Sequence, residues 1–239
     1  MRWTMTDLAI NRALSPDDAM NAGDLDHYFS CGLSALKVLR AAAILTDNTN
    51  PNAILDYGAG AGRVTRWLQA AYSNAIIHAC DVRSQDMEFL RSTLNVTDAW
   101  TVASKPIPRE YDIIWVGSVI THLSAKRTEE LVGQLLRHCA PTGMLVLSFH
   151  GPSCIQRHDN TPFRYIHDQG WRQIKKQYGK YGYGYADYHD MPNYGISVCE
   201  PSWMLNLAAR LHCRVALLSS RAWDNHHDVI AVQKSSNDF

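Results

Sequence analysis

The chain lacks an excess of charge of either sign. Its 239 residues carry 23 basic and 23 acidic side chains, so no global field draws it to a polyanion or an anionic membrane. Long apolar runs are also missing. Nowhere do 18 uncharged apolar residues follow one another, the length a spanning helix needs. The opening M-R-W-T-M-T-D-L holds no apolar stretch of the kind a secretory leader requires. Six cysteines (31, 80, 139, 154, 199, 213) occur without a C-x-x-C pair, and three fall in apolar strand or helix patterns. They read as reduced thiols, not as a disulfide framework or a zinc site. Eleven histidines form no H-x-x-x-H or H-E-x-x-H pair on a convincing helix, so no metal is expected. These absences point to a single domain over 1–239, cytoplasmic, with a small-molecule partner in place of nucleic acid or membrane. Homo-oligomerisation stays open.

What is present is alternation. Mostly apolar runs at Ala53–Tyr57, Ala75–Cys80, Tyr111–Val116 and Met144–Phe149 have the length of strands buried on both faces. A weaker run lies at Ala99–Ala103. Helical stripes separate them: Val64, Trp67, Leu68 and Ala71; Met87, Leu90 and Leu94 after a Ser84 N-cap; and Leu131, Leu135 and Cys139, on a helix that must stop before Pro141. This is the βαβ rhythm of a doubly wound, mostly parallel α/β sheet. A helical flank within 1–50 (Leu25, Phe29, Gly32, Leu36, Leu39, Ala43) covers the edge of the sheet in the 53–149 core. In 199–234, Pro201 opens a helix, and Arg214–Leu218 and Asp228–Val232 read as two strands. Their nine-residue connection is too short for a helical crossover, so the final pair is antiparallel. Residues 151–198 break the rhythm with seven of the eleven tyrosines, six glycines and three prolines. A connection of this length reads as a lid or binding insertion.

The chemistry begins at A-I-L-D-Y-G-A-G-A-G, residues 53–62, where Asp56 stands just before Gly58, Gly60 and Gly62. A glycine turn between a buried strand and a helix lets a ligand approach the backbone. Pyrophosphate would be repelled by that acid, whereas a ligand carrying an ammonium and a sulfonium, such as S-adenosyl-L-methionine, would be attracted. Asp81 ends the second strand 19 residues after Gly62, where a carboxylate can accept both hydroxyls of a ribose.

Through I-L-D-Y-G-A-G-A-G-R-V-T-R-W-L, A-C-D-V, Y-D-I-I-W-V-G-S-V-I-T-H-L and L-L-R-H-C-A-P-T-G-M-L-V-L-S, the chain resembles the class I S-adenosylmethionine-dependent methyltransferases. The resemblance implies that Asp56 and the loop Gly58, Ala59, Gly60 to Gly62 hold the methionine moiety, that Asp81 takes the ribose, and that Val82 packs on the adenine. The acidic residue that often meets the adenine amine in that family is replaced here by A-S-K-P, so Ser104 or a backbone group stands in for it. The fold implied is Rossmann-like, with seven strands and an antiparallel last strand.

For the acceptor, W-V-G-S at 115–118 lacks the N-P-P-Y-type motif of enzymes that methylate exocyclic amines of bases. The ending W-D-N-H-H-D-V resembles a W-x-x-H-Q-D-V ending of bacterial methyltransferases in glycan and small-metabolite pathways. It places Trp223 and His226 as substrate contacts, and Tyr183 and Tyr185 of the insertion join them. An oxygen nucleophile needs a base. His122, after the fourth strand, leads, and His150, ending the fifth, is second, with Ser118 beside the cofactor turn. O-methylation of a sugar, glycan precursor or other small polar metabolite is the expected activity. N-methylation of a small amine, an RNA substrate (Arg172, Lys175, Lys176 and Lys180 lie among tyrosines) and a non-catalytic cofactor-binding role remain open.

Overall fold

The structure is a computed structural model and describes residues 8–235 apart from 19, 22 and 163–165. The opening residues 1–7, read above for a leader, lie outside it. Seven strands form one sheet: β1 Ala53–Tyr57, β2 Ile76–Asp81, β3 Asp98–Thr101, β4 Tyr111–Val116, β5 Cys139–Phe149, β8 Cys213–Trp223 and β9 His227–Lys234. Their order is β3-β2-β1-β4-β5-β9-β8, with β9 antiparallel to both neighbours and the pairs among β1 to β5 parallel. This is the expected seven-stranded architecture.

Strand pleat divides the core. Ile54, Ile113, Trp115 and Val146 face one side, where α1 (Leu25–Leu45), α2 (Thr65–Ala71) and α3 (Ser84–Ser92) pack. Leu55, Ile114, Val116 and Leu147 face the other, against α4 (Ala125–Arg137) and α7 (Pro201–Arg210). The flank helix α1 starts at an Asp24 cap whose side chain accepts from the His27 amide. It is long and apolar enough to cross a membrane by composition, yet 56% of its apolar window is buried in the protein. Its Leu36, Leu39 and Ala42 are fully covered.

Several sequence boundaries shift. Cys139, expected on the helix before Pro141, instead opens β5, because α4 ends at Arg137. Helix α3 is capped at Arg83, and Ser84 is already its first residue, with no side-chain capping bond. Strand β8 runs on to Trp223, so the connection to β9 is a three-residue tip, Asp224 to His226, and not nine residues. A register shift between Ser219 and Trp223 and positive φ at Arg221, Asp224 and Asn225 hid that extension from the sequence pattern.

The insertion is built from α5 (Pro152–Asn160), α6 (Asp168–Tyr181) and a hairpin of β6 (Tyr183–Tyr188) with β7 (Met191–Cys199). It has its own small core of Cys154, Ile166, Trp171, Ile174, Ala186, Ile196 and Val198. Its two ends touch: the Cys199 amide donates to the His150 carbonyl at 2.8 Å. The base of the hairpin is pinned to the 3-10 turn Ile120–His122, where Ser197 Oγ donates to the Ile120 carbonyl at 2.9 Å.

Candidate functional site

The strand order reverses between β1 and β4, and ligands of doubly wound sheets bind at the carboxyl ends of strands at such a point. A cleft of about 800 Å³ opens there. The glycine turn forms one wall. Gly58 and Ala59 amides donate to the Cys80 carbonyl at 2.8 and 3.1 Å, tying the turn to β2. Gly58 has φ +80°, and a Cβ on it would collide with Val119 across the cleft. Gly60 has φ +52° with open space where a side chain would stand. Gly62 does not line the cleft; it turns its bare Cα toward Leu90 and Leu94 and lets α2 and α3 pack.

Two carboxylates flank the turn. Asp81 is oriented by three amides: Gly60 donates to Oδ2 at 2.8 Å, and Val82 and Arg83 donate to Oδ1 at 2.6 and 3.3 Å. Asp56 is buried, and Thr65 Oγ1 donates to its Oδ2 at 2.6 Å. Burial raises the Asp56 carboxyl to about 7; the Asp81 charge adds to the rise and the Thr65 bond opposes it. A carboxyl poised near neutrality is one that an incoming cation would ionise. Val82 lines the cleft with its side chain exposed.

The opposite wall comes from the turn after β4 and the hairpin tip. Ser118 sits at φ +61° with its amide donating to Ser148 Oγ at 2.8 Å. His122 lines the cleft, its ring stacked on Tyr194 at 4.9 Å between centroids. Its Nδ1 lies 2.9 Å from the Gly195 carbonyl and 2.9 Å from the Tyr188 hydroxyl. A carbonyl can only accept, so Nδ1 carries the proton and Nε2 keeps a lone pair. Burial lowers the His122 pKa from its usual value, partly offset by the Gly195 bond, so the ring is neutral at pH 7.

Several expected residues stand elsewhere. Ser104 does not line the cleft; its hydroxyl donates to the Thr101 carbonyl at 2.8 Å, and Val102 occupies the wall instead. His150 is buried behind the wall, 3.1 Å from the Ser197 carbonyl through Nδ1. Tyr183 is an anchor: its hydroxyl donates to the Leu123 carbonyl at 2.8 Å and lies 2.9 Å from Thr128 Oγ1. The Tyr185 hydroxyl donates to Asp187, and neither Tyr185 nor His226 lines the cleft. Trp223 does reach the floor, though it is nearly buried, with its indole N–H donating to the Cys31 carbonyl at 3.0 Å and its ring edge-on to Trp115.

Sequence reasoning missed Arg63, Arg127, Asn193 and Tyr194, all in the lining. Arg63 directly follows the glycine turn and was a readable signal. Arg127 donates to the Asn193 carbonyl at 2.9 Å, an arrangement that exists only once the hairpin folds back over α4. Also in the wall is Asp18, from the segment before α1; Arg83 donates to the Asp17 carbonyl beside it at 2.9 Å.

A family profile described as a methyltransferase domain matches residues 55–145. A malonyl-[acyl-carrier protein] O-methyltransferase of Halalkalibacterium halodurans is 32% identical over 120 residues, 46% of this chain and 44% of that protein. The chain thus aligns with less than half of the curated relative's length. Among solved structures, an S-adenosylmethionine-dependent methyltransferase of Clostridium acetobutylicum superposes with TM-score 0.59 at 9% identity, covering 90% of this chain and 94% of that one. A magnesium protoporphyrin IX methyltransferase of Synechocystis, solved with bound SAH, gives 0.54 at 12% identity over 90% and 89%. These likenesses are of fold. The cleft offers groups that fit S-adenosyl-L-methionine: an open glycine cradle at Gly60, an orientated carboxylate at Asp81 and a buried one at Asp56.

Proposed function

We propose that this methyltransferase domain transfers a methyl group from S-adenosyl-L-methionine to an oxygen of a small polar acceptor, with His122 as general base. The observation that carries the reading is the locked imidazole, Nδ1–H given to Gly195 and Nε2 left basic, in the same cleft as Asp56 and Asp81. Asp56 and the turn Gly58, Ala59 and Gly60 hold the methionine end. Asp81 accepts from the ribose hydroxyls, and Val82 and Val102 cover the adenine. The bound donor supplies an electrophilic methyl on a good leaving group, so alignment accounts for much of the rate. His122 removes the acceptor's proton through Nε2 as the oxygen attacks, and Tyr194 stacked beneath it fixes the ring plane.

The acceptor lies between Ser118, His122 and Arg127 on one side and Asn193 and Tyr194 on the other, so the hairpin of 151–198 serves as the substrate wall. Two glycines at its base are held in place. Gly184 is packed against the Ile174 carbonyl, and Gly182 is the left-handed cap of α6. Selectivity therefore resides at the tip, where Met191 and Tyr194 are exposed. The test is methyl transfer from labelled donor into fractionated small-molecule extracts, with H122A as control. Incorporation by wild type and a drop of about 10²-fold or more in H122A supports the reading; equal turnover by H122A removes His122 as the base.

A further inference from the structure

A second cluster forms outside the cleft, where the end of β5, the start of α5 and the β8–β9 tip converge. His150, Cys154 and His226 each bring a metal-ligating atom to within 4.8 Å of the others, and none of the three lines the cleft. The His150 Nδ1 faces the Ser197 carbonyl at 3.1 Å. It therefore carries the proton and leaves the Nε2 lone pair for another group, the arrangement found in metal-bound imidazoles. Cys154 is wholly buried.

Next to them lies a buried charge without a full set of partners. Asp228 is 1% exposed. Its Oδ1 accepts from Ser220 Oγ at 3.0 Å and from the Arg221 amide at 2.8 Å. Oδ2 has no hydrogen-bond partner among the described residues. That oxygen presses on the bare Cα of Gly151, between His150 and the first turn of α5 that holds Cys154. A buried carboxylate oxygen left unpaired is costly unless a cation meets it.

We propose that His150, Cys154 and His226 bind a borderline-soft divalent ion of the Zn²⁺ type, with water in the fourth position and the Asp228 carboxylate beside the site. Two imidazoles and a thiolate, completed by water, make a donor set suited to tetrahedral zinc. Binding releases the Cys154 thiol proton to solvent, and the thiolate and carboxylate together balance the dication. The contact between Arg157 and His226 must give way. Arg157 Nη1 stands 2.6 Å from His226 Nδ1, and Arg157 is exposed, so its side chain swings into solvent when the ion takes that nitrogen. The ion would staple the departure point of the insertion, α5 and the β8–β9 tip to one another. The cluster escaped the sequence because its members come from two distant segments with no motif spacing.

The test titrates the full chain, stripped by chelation, with Co²⁺ alone and reads absorption, independently of methyl transfer. One equivalent should produce a thiolate-to-cobalt charge-transfer band in the near ultraviolet, reversed by Zn²⁺. C154S should abolish the band, and H226Q, a change at the partly exposed tip, should weaken binding roughly tenfold or more. R157A should tighten binding by removing the competitor. Circular dichroism confirms that each variant is folded. Absence of the band in wild type, or unchanged cobalt affinity in folded H226Q, overturns the proposal.

Discussion

His122 Nδ1 and the Gly195 carbonyl lie 2.9 Å apart, so one bond joins the turn after β4 to the strand that walls the cleft. The hairpin thereby sets the tautomer of the imidazole that faces the cleft. Burial holds the His122 pKa below the ordinary 6.5. The neutral, basic ring persists from the lowered pKa upward and is lost as pH falls through it. Turnover in wild type is expected to be flat across neutral and mildly alkaline pH and to fall only on the acid side. A pH–rate profile checks this, and H122A should lose that acid limb.

Asp56 gives a proton-linkage prediction. Its folded carboxyl titrates at about 7 against an ordinary 3.8, because burial disfavours the charge. The folded state without ligand holds a proton that the unfolded state has released between those values. Stability of the cofactor-free protein is therefore highest below pH 4 as far as this group is concerned, and declines as pH rises toward 7. Binding a cationic donor near pH 6 should release close to one proton, and affinity should rise with pH until about 7. Calorimetry in buffers of different ionisation enthalpy measures the release; D56N should eliminate it.

The glycine turn gives a steric prediction. A methyl at Gly58 meets Val119 Cγ2 and must also adopt φ +80°. G58A is expected to weaken S-adenosylhomocysteine binding more than G60A, whose added methyl meets nothing and bears only the backbone strain of about 1 kcal/mol. The double change G58A/V119A should recover part of the loss. Binding isotherms for the three variants decide it.

Arg66 gives a stability prediction. Its guanidinium is buried and donates to the carbonyls of Gly62, Ala61, Asn11 and Ala13. Truncation strands these acceptors and frees the segment before α1. R66A should lose about 3 kcal/mol or more in urea unfolding, and R66K should recover only a part, since an ammonium cannot match the planar fork.

Sequence period revealed the sheet because β1 and β4 are buried on both faces and read as unbroken apolar runs. The glycine turn and Asp81 were equally legible, since a strand end fixes where a carboxylate points. The insertion was not, although Trp171, Ile174 and Tyr178 carry a helical stripe within α6. Its strands alternate tyrosine with small and polar residues, and half-exposed strands of that kind give no apolar run. Tyr194 and Arg127 face the cleft because of a hairpin register that no local pattern encodes. Ser104 was misplaced for the opposite reason. Its hydroxyl satisfies the turn after β3, a local bond that a reading by position alone does not weigh.

The bond between the Cys199 amide and the His150 carbonyl has a consequence for how this chain could change. The excursion from 151 to 198 leaves β5 and returns beside its end before α7 begins, so the main sheet does not register how far it travels. Closing a longer or shorter path between fixed ends costs little extra entropy. The insertion is thus a cassette: on the proposed function, replacing it whole would bring a new selectivity to an unaltered cleft, provided the replacement returns a carbonyl to His122.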